Sequence, residues 1–525
     1  VSTADLLLIG ARVRTLDPAR PGAGAVAVTQ GRISGLDEEA LGQRAARTEV
    51  IDVRGGVITP GLVDGHVHPL LGAASFRGAD LTACRTLEDV REALRSAPVE
   101  GDGWVTGWGL DHNVFAGQDP SNTVLAEALP GRPVFVRLYD AHSALASDEA
   151  LRRAGVDGRR RFEQRAEIVC DDAGRPTGYL VEQAAMATVE AILPTTPVHE
   201  LHERLRKVLG AMAATGVTGA HVMDAENDAL EVYAGFEETD DLPVRLRVAP
   251  WCMPGDDVEP LIAAQRCRGR RWAVRAVKLF IDGTIEGGTA WLEHPDCHGQ
   301  NTESFWRDTA AYTKVVEELA AAGVQTVTHA IGDAAVRHVI DSLEHATGSV
   351  RHRIEHLETM PTPLVRRLVA AGLVASMQPT HVGFTRADHS DAWSVRLGPE
   401  RAERAWVCRE IRDEGGTLVL GSDWPVATYD ARQTLAQARL RRPPVAGAAP
   451  VGSRQALTGL QGLEGMTTHA AIADGDEHHA GRIAVGYRAD LTAFAVDPVL
   501  APADEVAEAP VLATVSSGMV THRAR

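Results

Sequence analysis

Short apolar runs alternate with Ala-, Leu-, Glu- and Arg-rich stretches through the middle of the chain. Runs such as Val244–Pro250, Ala273–Phe280 and Val324–His329 are β-like and end in polar residues, while the stretches between them repeat apolar positions at helical spacing. A strand followed by a helix, many times over, predicts parallel βα units. Eight segments qualify as strands: Gly56–Asp64, Gly216–Met223, Val244–Pro250, Ala273–Phe280, Val324–His329, His352–His356, Leu373–Met377 and Thr417–Ser422. Eight is the number that a (β/α)8 barrel needs. About 150 residues separate the first two, far too many for one crossover, so residues 75–195 are expected to form an inserted subdomain.

The ends follow a different pattern. Leu6–Ile9, Ala25–Val28 and Val50–Val53 are strand-like with glycine-containing turns between them, and Gly481–Val496 and Val511–Val520 repeat the theme. The two β-rich ends are expected to pair into one small sheet domain. A Pro/Ala/Gly linker, Arg441–Gly452, is the one tract of biased composition.

Composition narrows the classes. Of 525 residues, 44% are hydrophobic and 24% charged, which suits a globular protein and excludes a disordered one. The formal net charge of −18 argues against a nucleic-acid partner. No stretch approaches the roughly 18 consecutive apolar residues of a membrane span. Six cysteines occur with no Cys-x-x-Cys pair, so neither a zinc ribbon nor a dithiol redox motif is indicated. The opening run has no secretory pattern, and a cytoplasmic location with reduced thiols is the expectation. Gly-x-Ser-x-Gly, Gly-x-Gly-x-x-Gly and Gly-Lys-Ser/Thr motifs are absent, which disfavours a serine hydrolase, a dehydrogenase and an NTPase.

The candidate chemistry sits at strand ends. Thr59-Pro-Gly-Leu-Val-Asp-Gly-His66-Val-His68 places two histidines at i and i+2, on one face of a strand, where both can reach one ion. His329 ends the run Thr326-Val-Thr-His, His356 ends His352-Arg-Ile-Glu-His, and Asp423 follows Leu418-Val-Leu-Gly-Ser. Lys278 lies inside the apolar run Ala276-Val-Lys-Leu-Phe-Ile, where a buried amine must be paired or chemically altered. In a barrel the C-terminal strand ends converge on one mouth.

In this order the residues resemble the amidohydrolase superfamily, with His-x-His on the first strand, Lys on the fourth, His on the fifth and sixth and Asp on the eighth. The segments Asp140-Ala-His-Ser, Val277-Lys-Leu-Phe-Ile-Asp-Gly-Thr, His329-Ala-Ile-Gly-Asp, Arg353-Ile-Glu-His and Gly421-Ser-Asp-Trp-Pro-Val, with the tail Gly481-Arg-Ile-Ala-Val-Gly-Tyr-Arg-Ala-Asp-Leu, are similar to the amidohydrolase 3 branch, which includes N-substituted formamide deformylases. The resemblance implies an α/β fold: a distorted (β/α)8 TIM barrel with a small β-sandwich from both termini and an insertion after the first barrel strand. The corresponding division is 1–56 and 471–525 for the sandwich, 57–74 for the barrel start, 75–195 for the insertion and 196–470 for the rest of the barrel. It also implies a divalent metal site, most often zinc. His66, His68 and Asp423 would bind the more buried ion and His329 and His356 a second. Lys278, carboxylated on its amine, would bridge the two, because a carbamate offers two anionic oxygens where a neutral amine is a poor bridge. Without that modification a mononuclear site follows.

The implied activity is hydrolysis of a non-peptide C–N bond, in an amide or an N-substituted formamide, by a metal-activated hydroxide. Asp423 would serve as general base and then acid. A deaminase or cyclic-imide hydrolase on the same scaffold is the alternative, and an inactive small-molecule-binding barrel the non-enzymatic one. The expected partner is a small amide-type molecule, with no nucleic acid and no membrane, and a homodimer is possible.

Secondary candidates follow. By resemblance His142 reaches over the mouth to touch substrate or an oxyanion. Asp333, four residues after His329, is a candidate to orient a ligand histidine, with helix capping as the rival role. Trp104, Trp108 and Trp424 are candidates for an apolar pocket, with core packing as the rival for each; Trp108 and Trp424 are favoured as substrate-binding residues. His221 reads better as a packed core histidine than as a pocket residue. Asp282-Gly-Thr and Glu286-Gly-Gly-Thr form a glycine-rich loop after the Lys278 strand, suited to flexibility near substrate or to a plain turn. His352-Arg-Ile-Glu-His fits the inverted zinc-protease pattern, but that motif requires a helix, and Val350 and Ile354 alternate with polar residues as in a strand.

Overall fold

The computed structural model describes residues 3–524 except 76, 227, 345, 347–349 and 446. The last of these lies within the expected linker Arg441–Gly452. Near-continuous apolar sequence in the middle of the chain produces strands buried on both faces, as parallel sheets require. A four-stranded parallel sheet holds β1 (Leu62–Val67), β2 (Val217–Ala225), β3 (Arg245–Pro250) and β4 (Trp272–Val274), in the order β4-β3-β2-β1. A five-stranded parallel sheet holds β5 (Ala276–Phe280), β6 (Gln325–Ala330), β7 (Arg353–His356), β8 (Val374–Met377) and β9 (Leu418–Leu420) in sequence order.

The two sheets touch at both edges. Cys252 N–H donates to the Lys278 carbonyl at 2.8 Å, and Asp423 N–H donates to the His66 carbonyl at 2.7 Å. Gly421 permits the second contact, since a Cβ there would lie 2.5 Å from the His66 nitrogen. Helices pack outside. Thr309–Ala321 is typical: Asp308 caps it by accepting from the Ala310 and Ala311 N–H groups, and it buries Tyr312, Val316, Leu319 and Ala320, one stripe of the helix.

The expected strand Gly56–Asp64 divides. Val57–Pro60 pairs antiparallel with Leu491–Phe494, whereas Leu62–Val67 pairs with β2. The break falls at Gly61, where a Cβ would meet the Thr218 hydroxyl at 2.4 Å. The first of these segments joins a six-stranded sheet that unites Arg12–Arg14 and Gly22–Ala23 with Leu491–Phe494, Val511–Ser516 and Met519–Arg523. A second terminal sheet contains Leu6–Ile9, Val26–Thr29, Arg32–Leu36 and Glu49–Asp52. One apolar cluster spans both, joining Leu6, Val26 and Ile33 to Val13, Ile58, Leu491 and Val515.

Residues between β1 and β2 form a separate mixed sheet of six strands, from Ala79–Asp80 to Pro176–Val181, over a core that includes Val90, Leu94, Val105, Leu125 and Val134. Trp104 packs in an adjoining cluster with Phe135 and Leu180. Two antiparallel strands of this sheet, Val134–Leu138 and Ser143–Ala146, bracket Asp140 and His142 and so carry them toward the parallel strands. All six cysteines are free. Among the described residues no helix is long and apolar enough to cross a membrane.

Candidate metal centre

Asp423 follows β9 and stands at the centre of a histidine cluster. Its Oδ1 is 3.4 Å from His66 Nε2 and 3.0 Å from His68 Nε2. Its Oδ2 is 3.8 Å from His356 Nδ1 and 3.5 Å from His381 Nε2. The His66 and His356 rings are 4.8 Å apart, and His356 and His329 4.4 Å. His68, Lys278, His329, His356 and Asp423 line one cavity, with His66 fully buried against it. The six expected ligand residues, from strands far apart in sequence, are therefore brought to one place.

Three of the histidines have one ring nitrogen already tied. His66 Nδ1 bonds Glu355 Oε2 at 2.6 Å, His356 Nδ1 bonds Gln378 Oε1 at 3.0 Å, and His329 Nε2 bonds the Gly283 carbonyl at 3.1 Å. Each partner is an acceptor, so the tied nitrogen carries the proton and the other is left with its lone pair, as a metal-binding imidazole requires. Glu355 is held in turn by Arg353, whose Nε and Nη2 each reach it at 3.0 Å. His66 Nε2 and His381 Nε2 are buried with no hydrogen-bond partner. Buried polar atoms are nearly always satisfied, so nitrogen and carboxylate donors gathered with free lone pairs fit a divalent cation such as zinc.

Electrostatics agree with the geometry. Burial pushes the Asp423 carboxyl up, but the His66 and His68 rings outweigh it and hold the group well below the usual carboxylate range. Burial, reinforced by Lys278, lowers His66 to about 4 and keeps it neutral. Burial lowers Lys278 to about 8 against the opposing pull of Glu355 and Asp423. Its Nζ lies 5.0 Å from the Phe280 ring centre, and among the described residues it makes no ion pair. Asp423 and His356 adopt positive φ values of 56° and 74°.

His142 stands at the mouth, its ring 4.9 Å from His329. Burial alone would lower its pKa; the Glu182 carboxylate, bonded to Nδ1 at 2.9 Å, overrides this and lifts it to about 9. Asp140 Oδ1 accepts from the His142 N–H at 3.0 Å and fixes the loop.

Three expected positions fall elsewhere. Asp333 begins the helix Asp333–Leu343, and its Oδ1 accepts from the Glu293 N–H at 2.9 Å. The carboxylate near His329 is Asp282, 3.6 Å from Nε2 and anchored by the Ile331, Gly332 and Trp291 N–H groups. Trp108 and Trp424 line a neighbouring outer pocket, while Trp251 and Trp406 line the cavity itself. Tyr139 and Phe384 belong to both walls. His221 is buried beside Arg353 and 2.9 Å from Asp474. His352 immediately precedes β7 and is bonded through Nδ1 to Thr326, so the segment is not a helix.

Residues that the sequence did not single out are Glu355, Gln378, Glu182 and His381. Arg353-Ile-Glu-His carried a signal for the first, because so many charges in one buried strand demand partners. His381 lies in the 3-10 turn Pro379–Phe384, where no periodicity marks a face.

The amidohydrolase family model matches residues 49–522. Protein LONG AFTER FAR-RED 3 of Arabidopsis thaliana is 28% identical over 524 residues, covering 93% of this chain and 86% of its own. N-substituted formamide deformylase of Arthrobacter pascens is 26% identical over 545 residues, covering 99% of this chain and 98% of its own. Among solved structures, an uncharacterized metal-dependent hydrolase from Pyrococcus horikoshii OT3 superposes with a TM-score of 0.73 at 20% identity, covering 95% of this chain and 99% of that one, a likeness of fold.

Proposed function

The chain belongs to the amidohydrolase family, and we propose that it hydrolyses a non-peptide C–N bond, in an amide or an N-substituted formamide, with a divalent metal, zinc by preference. The observation that carries this reading is Asp423: one carboxylate oxygen faces His66 and His68, the other faces His356 and His381, and the protonated His142 stands across the cavity. The two parallel sheets, joined at both edges, form one distorted (β/α)8 barrel in this reading. The terminal segments 1–56 and 471–525 form a sandwich, and 75–195 is the insertion that completes the mouth.

His66, His68 and Asp423 would hold one ion; His329, His356 and Lys278 would hold a second. A bound ion of this kind acidifies water and polarises a carbonyl. Lys278, buried and unpaired, suits carboxylation: its neutral amine adds carbon dioxide, forming a C–N bond and releasing one proton. Asp423 accepts the proton of the attacking water and returns it to the leaving nitrogen. His142, oriented by Glu182, presents Nε2–H to the carbonyl oxygen as negative charge develops there. Glu355 keeps the His66 ring in the tautomer that leaves Nε2 open. The products are an amine and a carboxylate, formate in the case of a formamide.

The test is to quantify metal in the purified chain and follow amine release from a series of N-substituted formamides and amides. Amine release that a chelator abolishes and added zinc restores is the expected result. Loaded protein that releases no amine from any member overturns the reading.

A further inference from the structure

The cavity lining extends beyond the expected ligands. Tyr139, Phe384 and Trp406 form part of its wall, together with Glu286 and Glu358. The Tyr139 and Phe384 rings are stacked, with centroids 4.0 Å apart and planes 19° from parallel. The Tyr139 hydroxyl donates to Glu286 Oε1 at 2.6 Å, which fixes the carboxylate on the wall. Glu358 is committed to its own surroundings, accepting from Trp393 Nε1 at 2.7 Å. Glu286, by contrast, remains only partly covered and borders the open space. His381 joins this wall to the ligand cluster, its Nδ1 3.7 Å from Glu358 Oε1 and its Nε2 3.5 Å from Asp423 Oδ2. Among the described residues no arginine lines the cavity, and its lysine is Lys278, one of the expected ligands.

We propose that Glu286 is a recognition residue for a cationic group, an ammonium carried by the substrate at this wall of the cavity while its carbonyl lies among the histidines. The proposal rests on the hydrolase reading for where the carbonyl lies. It draws on three features that act together. Carboxylates gathered in a weakly polar space repel one another, and a cation between them relieves that repulsion. Burial, then Glu358, raises the Glu286 pKa to about 7 against the opposing pull of the Tyr139 hydroxyl and His112. The Tyr139–Phe384 stack and Trp406 contribute aromatic surface to the same lining, and an ammonium is attracted to an aromatic ring more strongly in an enclosed site than in water. The same wall disfavours a substrate that bears a second carboxylate there, so it selects against as well as for. A purely structural role for the Tyr139–Glu286 bond, which ties the insertion to the loop after β5, would produce no preference between a cation and a neutral molecule of the same shape.

Calorimetric titration of the metal-loaded chain with phenethylammonium and with 2-phenylethanol separates the two roles. The ammonium is expected to bind at least about tenfold more tightly. Glu286→Gln should remove that preference while leaving the affinity for the alcohol unchanged, and Glu286→Asp should retain part of it. Equal affinity for the two compounds in the wild type overturns the proposal without recourse to any variant, and so does a preference that survives Glu286→Gln. Binding of an ammonium needs no turnover. The hydrolase reading can therefore fail, with no amine released from any formamide, while the cation preference stands; formamide turnover with no cation preference overturns this proposal alone.

Discussion

At the N-terminal ends of the parallel strands, Arg245 donates to Asp490 at 2.7 Å, Arg488 donates to both Asp490 and Asp476 at 2.6 Å, and Arg247 pairs with Asp474. At the opposite, C-terminal ends of the parallel strands, His66, His68, His356 and His381 crowd around Asp423, with His66 Nε2, His68 Nδ1 and His381 Nε2 left without a hydrogen-bond partner. Both regions bury charge beside charge. In the first, every carboxylate has its guanidinium within the chain, and the terminal sheet is clamped to β3 by the result. In the second, the donors converge on a space rather than on a partner. The difference teaches that burial of polar groups does not by itself mark a site; several ligand-type atoms converging on one space do. β7 connects the two ends: its Glu355 holds His66, while its Arg353 holds Glu355 and meets His221, which stands against Asp474.

The comparison breaks most sharply at Asp423. Asp423→Asn removes the proton acceptor but keeps an oxygen donor, so kcat should fall by roughly 10²–10⁴ while metal content is retained. Turnover within a few-fold of wild type would take Asp423 out of the proton-transfer role. The next effect belongs to Glu355. Glu355→Gln loosens the His66 ring, and metal affinity should fall by about 10–100-fold in a competition with a chelator. Asp490→Asn, at the paired end, should leave that affinity unchanged; a matching loss there would show that the two regions are not separable.

The ligand end of this division was legible in the sequence, where His329, His356 and Asp423 stand at or just past the ends of expected strands; the paired end was not. Partners of these residues were harder to see. Asp333 lies four positions from His329 and invited the reading of a supporting carboxylate, yet its place at a helix start turns it to a backbone N–H; Asp282, distant in sequence, comes nearest in space. Trp108 and Trp424 line an outer pocket that shares Tyr139 and Phe384 with the cavity. The strand expected over 56–64 divides at Gly61 between two sheets, a change of pairing partner that no periodicity encodes.

At the paired end the expected effect is on stability alone. Arg245→Met leaves Asp490 with Arg488 and the Ser517 N–H, so the loss should be about 1–3 kcal/mol in denaturant unfolding, with activity per folded molecule intact. A loss of activity larger than the loss of folded protein would couple the two ends.

The smallest effect sharpens the contrast through opposite signs of pH dependence. Burial raises the Asp490 carboxyl, but Arg245 and Arg488 outweigh it and lower the pKa from 3.8 to about 2. The unfolded chain therefore binds the proton first as pH falls, and the stability that Asp490 supplies is full above about pH 4 and lost on the way to pH 2. His142 is the reverse case: its pKa is raised from 6.5 to about 9, so its contribution is full below about pH 6.5 and lost as pH climbs through 9. Melting temperatures measured from pH 2 to 10 on wild type, Asp490→Asn and His142→Gln should show the first variant converging on wild type only at the acid end and the second only at the alkaline end. Parallel curves for either variant would mean that its group is not held by the charges assigned to it, Arg245 and Arg488 for Asp490 and Glu182 for His142.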